Sequence, residues 1–505
     1  MLLATRRDSQ AARQPNVKMI LLIACVAQFM VVLDLSIVNV AIPSIRSTLR
    51  FNSADLQWVL NAYTISFAGL LLLGGRIADF FGRRKVLIYG LLLFVTASLL
   101  GALSTTQWEL ILARVLQGIG AAVVSPATLT IITTTFEVPS ERAKALGAWS
   151  AVAGAGGAAG ALFGGILTNY LSWRWTFLIN IPIGVLEISL SYIFLAELRR
   201  TRGGAKLDVV GSVLITSGVT ALVYALVEGA NLGWTDVYTV TAFISAFILV
   251  VFFVYFEVKV AHSPIVPMSM LRLRGLANAN AAMFMLGGAI FASWYFLSLY
   301  MQDVLRFSPL QAGLAFVPQT LAIVVGAQVS SRLVGKLGFR PLAVAGPIIT
   351  ALGLVLLSSI DPTSTYSGTI MTPSILITFG MGLSFTPLAL AATSGVRRDQ
   401  AGLASGMLNT SRQVGGAVGL AGLTSLAFSI SNSRYSYLNA HSHIASGMDK
   451  LVSLSYGYGV ALEVSAVIAI AAAVIAIFLP AKLKTASQLA EAIEQSSIGV
   501  GFEPS

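Results

Sequence analysis

The chain has 505 residues, 56% of them hydrophobic and 10% charged, with a formal net charge of +11. A soluble domain typically carries about 25% charged residues, so a water-soluble globule of this length is excluded. The apolar residues fall in runs long enough for helices to cross a bilayer, and the basic ones sit in short loops between runs, which excludes a nucleic-acid-binding face.

Residues 1–16 are polar and basic and are expected to form a tail. The first predicted span, 17–45, is too long for a signal-peptide core and holds Asp34 and the single cysteine, Cys25. One cysteine permits no disulfide within the chain, and no metal site is suggested. Asp34 lies about ten residues before the end of that span, roughly 15 Å deep at 1.5 Å per residue. An ionised carboxylate at such depth costs at least about 2.5–3.5 kcal/mol on insertion scales and marks function by default. Burial disfavours its charge and a nearby cation favours it, so conformation can decide when it holds a proton.

Spans two and three, 55–79 and 85–104, are joined by the hairpin Gly75-Arg76-Ile77-Ala78-Asp79-Phe80-Phe81-Gly82-Arg83-Arg84-Lys85. Gly82 suits the tight turn. Asp79, at a helix end, is placed to pair with Arg83 or with a helix N-terminus across the gap between two halves, forming a conformational latch; the alternative is that the basic residues only set topology. Tyr63, on span two, is a candidate cavity residue. Span four, 107–136, runs opposite to span one and carries Arg114 to a depth that overlaps that of Asp34. Gln117 follows one turn later on the same face, where it suits a water or a substrate polar group. Span five, 143–170, carries Gly156, Gly160 and Gly164 at spacing four, plus Gly165. Such spacing lets helices pack backbone to backbone, either between halves or as ordinary packing. Span six, 174–197, holds a second deep carboxylate, Glu187, as a further proton site or an ion-pair partner.

Spans at 208–230, 236–258, 275–302, 309–334, 341–359, 368–392, 402–430 and 457–480 complete a predicted set of fourteen. Trp294 and Tyr295 on the ninth are candidate cavity residues. Arg412, about ten residues into the thirteenth, needs an internal partner, for architecture or for substrate. A long loop is expected at 431–456, where His441 and His443 are too few to argue for a metal. With the N-terminus inside, most basic residues, among them Arg83, Arg84, Lys85, Arg199, Arg200 and Arg202, fall on the inner side. The outer side holds Arg46, Arg50, Arg174, Arg306, Arg434 and Lys450. This asymmetry predicts two cytoplasmic termini.

The segment GGRIADFFGRRKVLIYG at 74–90 is echoed by SSRLVGKLGFRPLAVAG at 330–346, and RAKALGAWSAVAGAGGAAG by DQAGLASGMLNTSRQVGGAVG. The offsets, Gly75 to Ser331 and Gly147 to Gly406, are 256 and 259 residues, right for six helices plus two. The expected division is therefore a tail at 1–16, a six-helix bundle at 17–200, an inserted helix pair at 201–260, a second six-helix bundle at 261–480 and a tail at 481–505. Parallel halves with a binding site between them near the midplane are a known transporter plan.

The hairpin resembles the loop signature G-x-x-x-D-x-x-G-R-R-K of the major facilitator superfamily. The stretches LDLSIVNVAIP at 33–43, RVLQGIGAA at 114–122, SWRWTFLINIPIG at 172–184 and GLASGMLNTSRQVGGAVG at 402–419 are similar to its fourteen-span drug:proton antiporter branch. The resemblance implies an all-α polytopic membrane protein of the major facilitator fold, two six-helix bundles plus two inserted helices. It associates Asp34 with coupling and Arg114 with proton transfer. Two departures weaken the match: Ala161 replaces the proline of G-P-x-x-G-G, and Gly335 stands where a second Asp79 would be.

The expected function is proton-coupled antiport that exports amphipathic or cationic drugs or other organic compounds across the plasma membrane. Its expected partners are a small hydrophobic or cationic substrate, protons and the lipid bilayer, without nucleic acid, and a monomer is the expected working unit. No cofactor is expected beyond the proton gradient, since neither a G-x-x-x-x-G-K-[ST] loop nor a zinc spacing occurs, and the chain does not read as an enzyme. Dedicated transport of one metabolite, antibiotic, siderophore or lipid-like compound is the alternative. A non-transporting scaffold is a third, against which the costly charges Asp34 and Arg114 argue.

Overall fold

The computed structural model describes residues 16–136, 138–195, 207–262, 264–396, 400–441 and 446–480. The predicted tails, apart from Asn16, and the basic loop around Arg199 lie outside the described residues. Among those described there is no strand, and fourteen long helices follow in order: α1 (Val17–Leu49), α2 (Trp58–Phe81), α3 (Arg83–Leu103), α4 (Gln107–Thr135), α5 (Pro139–Tyr170), α6 (Asn180–Phe194), α7 (Val209–Asn231), α8 (Val237–Lys259), α9 (Arg274–Leu299), α10 (Pro309–Leu337), α11 (Phe339–Ser358), α12 (Met371–Thr393), α13 (Ala401–His441) and α14 (Ser446–Ile477). Thirteen spans are long and apolar enough to cross a membrane; α5, whose apolarity glycine dilutes, is not among them. The chain is thus a multi-pass helical membrane protein.

Local chemistry sets the helix ends. Asn16 caps α1 by accepting from the Met19 amide at 3.3 Å, and Thr106 with Glu109, and Ser308 with Gln311, form reciprocal capping boxes at α4 and α10. Gly82 is the single residue between α2 and α3, and Gly338 the single one between α10 and α11; both have positive φ, 96° and 80°, a region glycine enters without penalty. The two hairpins of the sequence repeat therefore turn in the same way.

Two expectations about length are corrected. Helix α1 ends at Leu49 rather than near residue 45, which moves Asp34 to its middle, roughly 22–26 Å from each end. The loop expected at 431–456 is mostly helix: α13 runs to His441 and α14 starts at Ser446, while His443 lies outside the described residues. Gly457 explains the extension, because its missing side chain lets α14 lie against Ala427 and Ser431 of α13, and the paired helices continue.

Prolines inside helices create bonding sites between helices. A proline supplies no N–H to the carbonyl four residues earlier, so Pro43 frees Asn39 O, which accepts from Ser298 Oγ at 2.7 Å. Likewise Pro387 frees Leu383 O for Ser330 Oγ at 2.8 Å. Helices α1 to α6 pack among themselves, as do α9 to α14, and the two groups meet where α5 lies on α10 and α2 on α13. Helix α7 packs on both α2 and α13, with α8 outside it. Phe247, Ile248, Val251 and Phe252 of α8 are exposed, as a lipid-facing helix requires.

Candidate functional site

Asp34 is the focus of a buried polar cluster drawn from five helices, α1 to α4 and α6. Its Oδ2 accepts from Arg114 Nη1 at 2.6 Å, and its Oδ1 from Gln117 Nε2 at 3.1 Å and from Asn180 Nδ2 at 2.8 Å. Arg114 also donates from Nη1 to Gln117 Oε1 at 2.9 Å and from Nε to Val59 O at 2.9 Å. Gln117 Nε2 reaches Ser98 Oγ at 2.7 Å. Asp34, Ser98, Arg114, Gln117 and Asn180 are all 0% exposed. The Tyr63 ring lies 4.3 Å beneath the guanidinium, a cation–π contact in a desolvated place.

Each member is placed by local structure. The capping box at Thr106 fixes the start of α4, so Arg114 and Gln117 share one face two to three turns in. A short helical turn, Trp175–Leu178, precedes α6 and sets Asn180 as its first residue. On the same face of α4, Ser125 donates to Gln28 at 2.9 Å and Thr128 accepts from Trp149 at 3.1 Å. Buried polar groups thus continue along α4 away from the ion pair.

Asn180 and Ser98 are functional candidates that sequence reasoning missed. Asn180 lies inside the SWRWTFLINIPIG stretch, and a lone amide in an apolar run was the available signal. Glu187 follows two turns after Asn180 on α6, 0% exposed, with no partner for either carboxylate oxygen among the described residues. The structure does not join it to Asp34 by any hydrogen bond.

A cavity of about 170 Å³ lies between the two helix groups, lined by Ser36 and Asn39 of α1, Thr64 of α2, Gly157 of α5, Phe291 and Trp294 of α9, Gln319 and Thr320 of α10, Met381 of α12, and Arg412 and Gln413 of α13, among others. Of the five expected cavity residues, Trp294 and Arg412 line it. Tyr63 and Gln117 do not, because they turn into the Asp34 cluster; Tyr295 does not, because it packs against Phe296 in the α9–α14 core. Asp34 faces away from the cavity that its neighbours Leu35 and Ser36 line.

The glycine stripe is corrected in the same way. A Cβ on Gly156, Gly160 or Gly164 would come within 3.1, 2.6 and 2.6 Å of α1 atoms, so those three pack within one helix group. Gly165 alone of the four meets α10, where a Cβ would stand 2.7 Å from Pro309 O. Spacing four puts the first three on one face, and Gly165, one residue on, points about 100° away.

At the hairpin, Gly82 makes the expected turn. Arg83 Nη1 donates to Thr134 Oγ1 of α4, within its own helix group, and the Asp79 side chain lies outside the described residues. Gly75 has room for a Cβ, 3.5 Å from Pro126; its neighbour Gly74, against Ala122 O, is the one closely packed. Arg76 donates to Pro264 O, tying the hairpin to the segment after α8.

The ends of the molecule differ. Where α1 finishes, Arg46 Nη2 and Asp303 Oδ1 pair at 2.6 Å, Gln302 Nε2 donates to Val40 O at 3.1 Å, and Gly165 abuts α10. Toward the opposite end, a Cβ on Gly147 of α5 or Gly335 of α10 would meet nothing within 4 Å.

Comparison with known proteins identifies the family. The family model described as Major Facilitator Superfamily matches residues 24–420. The chain is 43% identical over 423 residues to a cephamycin export protein of Amycolatopsis lactamdurans, covering 83% of this chain and 87% of that protein. It is 37% identical over 462 residues to a puromycin resistance protein of Streptomyces alboniger, covering 90% of each. Among solved structures, a POT family transporter superposes with a TM-score of 0.65 at 17% identity, covering 95% of this chain and 98% of that one, a likeness of fold.

Proposed function

The chain belongs to the Major Facilitator Superfamily, and from that premise we propose that it is a proton-coupled exporter of antibiotic-like amphipathic molecules. The similarity to a cephamycin export protein and a puromycin resistance protein supports export of such compounds. The observation that carries the coupling is the carboxylate at the middle of the first spanning helix, buried and held by Arg114, Gln117 and Asn180. Removing one partner from a buried ion pair typically costs about 3–5 kcal/mol. When a shift of α1 against α4 within the first helix group, coupled to the rocking of the two groups, draws Arg114 away, Asp34 is left uncompensated, and taking a proton relieves it; restoring the pair expels that proton. Alternate exposure of the cluster to the two sides then links proton entry to substrate exit. Glu187 is the proposed second proton acceptor.

The end where α1 finishes is assigned to the outside of the plasma membrane, in line with the basic inner loops, so its contacts close the outer side in this state. The cavity is smaller than the roughly 300–1,000 Å³ of drug-sized sites, and a bound substrate widens it. The hairpin acts as a latch on the inner side, and a monomer is the working unit, with no cofactor beyond the proton gradient.

Everted vesicles test the reading. Substrate-driven proton movement is expected in the native protein and lost in Asp34→Asn at equal membrane insertion. Full coupled transport by that variant would remove Asp34 from the mechanism. Glu187→Gln is expected to lower the protons moved per substrate, and an unchanged ratio would dismiss it.

A further inference from the structure

Among the described residues that line the central cavity, Arg412 is the one ionic side chain, and none of the others neutralises it. Arg412 lies on α13 where the cavity meets α12, with Nη2 donating to Asn409 Oδ1 at 3.0 Å and its guanidinium 5.5 Å from the Phe385 ring centre. Its Nε is buried without a partner. Among the described residues no carboxylate lies within 4 Å of it, and the residues lining the cavity include neither Asp nor Glu. The nearest charge on the facing part of α1, Asp34, points the other way into its own ion pair.

Arginine left unpaired in a low-dielectric interior is costly unless an anion joins it, and its fork of donors matches a carboxylate. Around it, Gln413 Oε1 is buried without a partner, so that amide is also uncommitted at its oxygen. The rings of Phe291 and Trp294, 6.0 Å apart and tilted by 32°, line the same cavity, which supplies an aromatic wall. A charged fork beside an aromatic wall fits a molecule with both features.

The geometry points to an amphipathic organic anion as the substrate class, its carboxylate on Arg412 and its ring against Phe291 and Trp294. This deepens the exporter reading and rests on it. It also replaces the expected preference for cations, because a cation here would face Arg412 with no acid beside it.

The test uses three probes of one shape on the full chain in phosphatidylcholine nanodiscs: 1-naphthaleneacetate, 1-naphthaleneacetamide and 2-(1-naphthyl)ethylammonium. Equilibrium dialysis is expected to give tighter binding of the anion than of the amide by on the order of ten- to a hundredfold, and weakest binding of the cation. Arg412→Gln should bring anion and amide together, while Arg412→Lys keeps part of the preference and serves if the glutamine variant does not fold. Equal affinity for the three, or no saturable binding of the anion at millimolar concentration, overturns the site. Uptake of the amide into everted vesicles reads the exporter separately. Proton-linked amide uptake without any anion preference removes only the anion site; Arg412-dependent anion binding without any uptake leaves the site and removes the exporter.

Discussion

Asp34 and Arg114 stabilise each other as a unit, and their variants should show it. Arg114→Ala leaves a buried carboxylate uncompensated, a loss of about 3–5 kcal/mol, and a clear fall in thermal unfolding temperature in detergent is expected. Adding Asp34→Asn should recover most of that fall, because no uncompensated charge remains. If the double variant is no more stable than Arg114→Ala, the loss comes from the missing stack on Tyr63 instead. These two charges were legible in the sequence since each interrupts an apolar run at overlapping depth. Asn180 and Ser98 were not, because an uncharged amide or hydroxyl can be satisfied by a single neighbour and marks an apolar run more weakly than a charge does. The faces of Tyr63, Gln117 and Tyr295 were equally hidden. In a bilayer both the lipid side and the bundle interior are apolar, so helical periodicity gives depth but not direction.

The glycines of α5 divide the labour of one helix between two neighbours. Gly160 lies within van der Waals reach of Ser36 and Leu33 on α1, so Gly160→Val should separate α1 from α5 and lower the yield of folded protein. A Cβ on Gly165 would stand 2.7 Å from Pro309 O and 3.2 Å from Gly313 Cα of α10. Gly165→Val should instead spare folding and loosen the closed end where α1 finishes. The single native cysteine, Cys25, is buried, so a reporter cysteine at Asn39 can be read cleanly after Cys25→Ala. If that end faces outward as proposed, faster labelling of that reporter by an external membrane-impermeant maleimide in Gly165→Val is expected, and an unchanged rate would show that this contact does not hold that end shut. At the turn between α2 and α3, Gly82→Ala would force a side chain into φ 96°, at a cost of about 1–3 kcal/mol. The repeat of that turn at Gly338 was legible as a sequence echo, whereas the lengths of α13 and α14 were not, since they depend on each helix supporting the other.

For the whole molecule, coupling and substrate charge combine into a prediction about the membrane potential. At any fixed number of protons exchanged per substrate, exporting a monoanion moves one charge more per cycle than exporting a neutral molecule, and two more than a monocation. Each charge is worth about 2.3 kcal/mol per 100 mV, more than a decade of gradient. An inside-positive potential imposed on everted vesicles should therefore raise naphthaleneacetate uptake more than amide uptake, and equal responses would contradict the anion assignment. The sequence by itself determined that the chain spans a bilayer many times, that it repeats, and that it keeps a costly acid and base in its interior, because hydrophobic length and the insertion cost of charge act on each helix alone. Only the tertiary structure decided which charges meet, which glycines face which partner, that Asp34 turns from the cavity while Arg412 lines it, and which end is shut. Those outcomes depend on the rotation of each helix against its neighbours, and a solvent apolar on every side leaves no mark of that rotation along the chain.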